Sequence, residues 1–69
     1  MKNYFGKNLK YLRIMNNMTQ VELSTKLNIS HQTISHYERG ERLCDIIMLC
    51  KIAQLFEIST DDLLKKKLY

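Results

Sequence analysis

Apolar residues along this 69-residue chain fall into a repeated phrase rather than an even scatter. MTQVEL (18–23), ISHQTI (29–34) and ISTDDL (58–63) each run apolar, Ser/Thr, two spacers, polar, apolar. That order starts a helix. The hydroxyl of Thr19, Ser30 or Ser59 can accept from an orphan backbone N–H of the first turn. The flanking pairs Met18/Leu23, Ile29/Ile34 and Ile58/Leu63 stand at the two positions of a hydrophobic staple. Glu22 and Asp62 can complete a capping box, with Thr33 a weaker substitute.

Periodicity fills in the rest. Phe5, Leu9, Leu12 and Arg13 share one face of a first helix, and Leu23, Ser24 and Leu27 mark the inner side of a short second one. Asp45 can cap a fourth helix whose inner face is Ile46, Leu49, Ile52, Ala53 and Phe56. A short last helix after Ser59 holds Leu63 and Leu64 before the chain frays into KKKLY. No segment sustains the alternation of a strand. The expectation is an all-α fold, five helices in a single domain over residues 1–69. Between the second and third helices, Leu27-Asn28-Ile29-Ser30 leaves about three residues to reverse direction, the length of a helix-turn-helix connection. Asn28 stands where a positive φ is needed, and Gly40 closes the third helix at C′.

The third helix, within HQTISHYERG, divides by face. At about 100° per residue, Gln32, Ser35, His36 and Arg39 share one arc, and Ile34, Tyr37 and Glu38 take the other. His31 sits at the exposed N-terminal edge. Two apolar anchors are few for a helix in so small a protein. The outward groups are hydrogen-bonding and none is acidic, because Glu38 turns inward and Glu41 lies beyond the stop. A face without carboxylates is what close approach to phosphate requires. Gln can pair with adenine N6 and N7, Ser or His can donate to guanine or thymine, and Arg39 is placed for a phosphate. An ordinary solvated face is the alternative; the short turn, the caps and the basic N-terminus together weigh against it.

Charge sharpens this picture. The formal net charge is +4, and residues 1–18 carry Lys2, Lys7, Lys10 and Arg13 with no acid. The remaining charges balance, so the whole excess sits in that segment. A basic pole suits nucleic acid, although a lysine face kept for solubility has the same charge. With 45% hydrophobic and 26% charged residues the composition is globular rather than disordered. Neither a membrane-length apolar run nor a signal peptide is visible, so a cytoplasmic protein without a membrane partner is the default. Cys44 and Cys50 match neither a redox pair nor a zinc knuckle, and His31 and His36 lack a matching cysteine pair. Buried thiols and no metal site are expected. Ser35 beside His36, or His31 near Asp45, makes no oriented triad, and there is no Gly-rich loop, so an enzyme is not expected.

TQVELSTKLNISHQTISHYERG resembles the helix-turn-helix of the Cro/repressor type, the Xre-like family. The likeness runs from the arginine of KYLRIMNNMTQ through ERGERL, LCKIAQLFEIS and TDDLL. It rests on Gln20 and Glu22 after the Thr19 cap, on Leu23, Leu27 and Ile34, and on the E-R-G end. The resemblance implies a five-helix lambda-repressor-like domain with its motif at residues 20–39 and the third helix in a major groove. It implies base reading by His31, Gln32 and His36, with Ser35 on the same arc. It implies phosphate contacts at Gln20 and Arg39 and a backbone or thymine-methyl contact at Thr33; Lys10 and Arg42 are expected at the DNA backbone as well. Gln20 also opens the second helix, whose positive dipole end suits a phosphate. Arg13 and Glu38 match an internal ion pair joining helices one and three. Departures are Ser24 for the usual alanine, Asn28 and Glu57 at glycine-like helix ends, Cys44 where a proline often stands, and Ile47 and Met48 in place of polar residues.

The function so implied is a sequence-specific DNA-binding transcriptional regulator, a repressor bound as a homodimer to a pseudo-palindromic operator. Half-sites would lie about 10 bp apart or multiples of that. Dimerisation would use helix four, helix five or Leu68-Tyr69, with no cofactor or small-molecule ligand. The rival is a helical antitoxin or adaptor that binds protein through Ile47, Met48 and the tail. Its binding would not respond to changes at Gln32 and His36.

Overall fold

Five helices and the turns between them make up the computed structural model, which describes residues 3–69. Lys2, counted above in the basic segment, lies outside the described residues. The helices are α1 (Phe5–Met15), α2 (Gln20–Leu27), α3 (His31–Glu38), α4 (Ile46–Leu55) and α5 (Thr60–Lys65). At α2 the Thr19 hydroxyl accepts from the Glu22 N–H at 3.0 Å, and the Glu22 carboxylate accepts from the Thr19 N–H at 2.8 Å. Those two bonds complete a capping box and hold the Glu22 carboxyl below the usual range. Ser30, Asp45 and Ser59 cap α3, α4 and α5 in turn.

The first four helices end alike, each with a left-handed residue just past the last turn: Asn17, Asn28, Gly40 and Glu57. Each end is closed by two crossed bonds. After α1, Met18 N–H donates to Arg13 O and Asn17 N–H to Ile14 O; the same pair recurs after α2, α3 and α4. This is the Schellman arrangement, in which the residue after the left-handed one folds back over the last turn. At three of the ends that residue is Met18, Ile29 or Ile58, and it packs against the core. These are also the apolar residues ahead of the next helix cap, so one side chain closes one helix and opens another.

Phe5, Leu9, Leu23, Leu27, Ile34, Tyr37, Ile52, Ala53 and Leu63 form the core. The helix α3 lies against α1 and α2, while α5 closes on α1 and α4. Phe5 and Tyr37 meet edge to face with ring centres 5.7 Å apart, and burial pushes the Tyr37 phenol up. At Gly6 a Cβ would overlap the carbonyl oxygen of Tyr37, so α1 passes the end of α3 at a distance only glycine permits.

Three expectations are corrected. Ile46 does not belong to the inner face of α4; it is 74% exposed. Exposure falls along the helix, from Ile46 and Ile47 through half-buried Met48 and Leu49 to buried Ile52 and Ala53. The first turn therefore overhangs the core. The cysteines are not both buried: Cys44 is half-buried and Cys50, on the outer flank of α4, is exposed. Partial burial pushes the Cys44 thiol to about 11. Finally, the C-terminal KKKLY does not fray. Buried Asn8 donates from Nδ2 to Leu63 O at 2.9 Å and Lys66 O at 2.6 Å, and accepts from Leu68 N–H at 3.0 Å. Tyr69 then rests edge-on against Tyr4, with the Lys7 and Lys67 ammonium groups 5.6 and 5.2 Å from its ring centre. Among the described residues no helix is long and apolar enough to cross a membrane.

Candidate nucleic-acid interface

The site begins with the turn that aims α3. Asn28 takes φ 57 and ψ 44, and Ile29 N–H donates back to Ser24 O at 3.0 Å. Leu23 and Leu27 of α2 are buried with Ile34 of α3, so the two helices share one apolar seam. Ser24, small and buried, bonds its hydroxyl to Val21 O at 2.7 Å within α2. Ile34 and Tyr37 hold the inner side of α3, and Glu38 adds a polar tie.

That tie reaches three helices. Arg13 of α1 donates from Nε to Glu38 Oε2 at 2.7 Å and from Nη2 to Oε1 at 3.1 Å. Its third donor, Nη1, reaches Met18 O at 2.9 Å. The side chains of Arg13 and Glu38 are 12% and 3% exposed. Gln20 at the start of α2 donates from Nε2 to the same Oε1 at 3.1 Å. One of its two amide N–H donors is thus turned to the interior, which leaves the second and the backbone N–H groups at the α2 start.

On the outer side, His31 and Gln32 stand exposed in the first turn, and His36 and Arg39 are exposed farther along with half-buried Ser35. Thr33 is half-buried with its hydroxyl 2.8 Å from Ser30 Oγ, so it takes part in the cap. Lys10 on α1 and Arg42 in the α3–α4 connection are exposed.

The outer face does carry a carboxylate, contrary to expectation. Glu41 lies past the helix stop, yet the left-handed Gly40 turns the chain back and Glu41 N–H donates to His36 O at 3.0 Å. Its side chain then lies over the last turn. Arg39 donates from Nε to Glu41 Oε2 and from Nη2 to Oε1, both at 3.0 Å. His36 Nδ1 is 2.8 Å from Oε1, and Arg39 Nη1 donates to Ser35 Oγ. The Arg39 guanidinium, with His36 second, holds the Glu41 carboxyl at about 2. Glu41 in return pushes the Arg39 guanidinium up. These groups are exposed, so water screens the pairing and its worth lies in orientation more than stability. Ser35, His36 and Arg39 are therefore brought into one knot, while His31 and Gln32 stand outside it. The sign of Glu41 in the sequence is its place one residue after Gly40, the position a Schellman turn folds back onto His36. Among the described residues no group of His, Cys, Asp and Glu side chains could hold a metal ion.

Relatives agree with this geometry. A regulator from Bacillus subtilis (strain 168), the HTH-type transcriptional regulator ImmR, is 44% identical over 61 residues, 88% of this chain and 48% of that protein. The chain thus spans about half the length of that relative. The crystal structure of a transcriptional regulator from Listeria innocua superposes with a TM-score of 0.87 at 28% identity, covering 93% of this chain and 60% of that one. The P22 c2 repressor, solved in complex with a synthetic operator, gives 0.85 at 25% identity over 91% of this chain and 96% of that one. A helix-turn-helix family model matches residues 9–63. On that match, which takes in all of α2, the turn and α3, this chain belongs to the Xre-like helix-turn-helix family.

Proposed function

We propose that the chain is a sequence-specific DNA-binding transcriptional regulator, a repressor that acts by occupying its operator. The observation that carries this reading is the division of α3. Ile34, Tyr37 and Glu38 fix the helix from inside, and its outer arc presents hydrogen-bonding groups, His31 and Gln32 uncommitted and Ser35, His36 and Arg39 knotted with Glu41. His31, Gln32, Ser35 and His36 are the base readers. Arg39, Arg42, Lys10, Thr33 and the backbone at Gln20 meet phosphates, the last at the positive end of α2. The similarity to the P22 repressor, solved in complex with a synthetic operator, supports DNA as the partner. The activity proposed for this chain is the binding and release of DNA, without a chemical step.

A single module of this size makes few base contacts, so the operator is read by a homodimer with half-sites about 10 bp apart. Supporting a paired state is the apolar surface at Leu43, Ile46 and Ile47, which are 63%, 74% and 68% exposed. The test is selection from a randomised duplex library at two salt concentrations, wild type beside Gln32→Ala. An enriched half-site, steep salt dependence and a loss of roughly 1–3 kcal/mol in the variant are expected. Salt-dependent binding without an enriched sequence would reduce the site to a basic surface. Indifference to Gln32→Ala and His36→Ala would move the function to protein binding.

A further inference from the structure

Of the four Schellman ends, three fold an apolar residue back onto the core, namely Met18, Ile29 and Ile58. Only the end of α3, the helix with the outward arc, folds back a charged one. Glu41 returns onto His36, the residue its own backbone N–H is bonded to. An ionised carboxylate can only accept, and Glu41 keeps its charge down to about pH 2. The 2.8 Å contact between Glu41 Oε1 and His36 Nδ1 therefore requires the ring proton on Nδ1. Arg39 Nη2 also approaches Nδ1, but at 3.5 Å, and it already donates to Glu41 Oε1 at 3.0 Å. The shorter, charge-assisted bond decides the tautomer. In the neutral ring this leaves Nε2 as an acceptor on a side chain that is 46% exposed.

We propose that Glu41 is a specificity-determining residue: by fixing the His36 tautomer it makes Nε2 an acceptor, which selects a base with an exocyclic amino group. This rests on the reading of α3 as a base-reading helix. In the major groove, adenine N6 and cytosine N4 are donors, whereas guanine and thymine offer acceptors at those places. Glu41 need not touch DNA itself. With Glu41 truncated, an imidazole reverts to its preferred proton on Nε2, and the freed Arg39 donor 3.5 Å from Nδ1 reinforces that form. The same histidine then donates, and its preference turns toward guanine or thymine.

The experiment selects half-sites from a randomised duplex library at pH 8, above the range in which histidine ordinarily gains a proton. Wild type, Glu41→Ala and His36→Ala are compared. His36→Ala identifies the base position that His36 reads. At that position wild type is expected to enrich adenine or cytosine, and Glu41→Ala to shift toward guanine or thymine by roughly two- to tenfold, the worth of one hydrogen bond. Positions read by His31 and Gln32 keep their preference. Nitrogen-15 spectra of the free proteins give an independent readout, with the His36 proton on Nδ1 in wild type and on Nε2 in the variant. An unchanged base at the His36 position, or the same tautomer in both proteins, overturns the proposal while the DNA-reading function stands. If wild type enriches no sequence, both fall together.

Discussion

Replacing Arg13 by methionine removes the cation from the interior while keeping a side chain of similar length. Glu38, 3% exposed, would lose bonds of 2.7 and 3.1 Å and retain only the Gln20 amide at 3.1 Å. A buried carboxylate without its partner costs about 3–5 kcal/mol, whereas an exposed pair would cost less than about 1 kcal/mol. For a chain of 69 residues total stability is on the order of 3–10 kcal/mol. The single substitution thus removes between about a third and all of it. Urea unfolding followed by circular dichroism reads this directly. At a slope near 1 kcal/mol per molar, roughly that of the smallest domains, the midpoint drops by about 3 M or more, or no folded baseline remains. The double variant Arg13→Met, Glu38→Leu is expected to recover most of the loss, because two apolar groups no longer leave a charge stranded. A cost below about 1 kcal/mol for Arg13→Met, or a double variant no better than the single one, would refute the view that Glu38 is a buried charge held by Arg13.

Other consequences follow from the same geometry. Gly6→Ala should lower stability by about 1–3 kcal/mol through overlap with the Tyr37 carbonyl. Gly40→Ala, with open space around its Cβ, should cost only the backbone strain, about 1 kcal/mol; equal thermal shifts for the two would contradict this. Asn8→Ala should release the segment after α5, seen as rapid hydrogen exchange at the Leu68 amide with α2 and α3 unaffected. The Glu41 carboxyl should titrate near pH 2 by NMR, and Arg39→Ala should raise that midpoint toward the ordinary carboxylate range. Because its folded value is depressed, the contact with Arg39 is fully present above the ordinary range and is lost as pH falls through about 2.

Helix starts were legible because a capping hydroxyl and its flanking apolar pair are local features, readable within six residues. The inward set Ile34, Tyr37 and Glu38 followed from angular spacing alone, and all three are buried. Asn17 takes the same φ of 57° as Asn28 and precedes the same apolar-hydroxyl pair, so its turn was equally available but unmarked. Asn8 was not available. Its partners Leu63, Lys66 and Leu68 lie 55 to 60 residues away, and apolar periodicity assigns nothing to a polar residue. Ile46 failed for another reason: spacing identifies a face, but not how far along the helix the core extends. The knot at Glu41 needed the handedness of the Gly40 turn before its two ends could be seen to meet.

The inward and outward halves of α3 answer to different masters, and heredity can therefore edit them separately. Folding constrains Ile34, Tyr37 and Glu38; it places no demand on the identity of His31 or Gln32, which stand in water. If they read bases as proposed, a lineage can rewrite those two letters and so acquire a new address on a genome, with the scaffold left intact. Ser35 and His36 are less free, since Arg39 and Glu41 are fastened to them. On the proposed role of Glu41, retargeting at that end would proceed by coordinated changes, with residue 41 altered alongside residue 36.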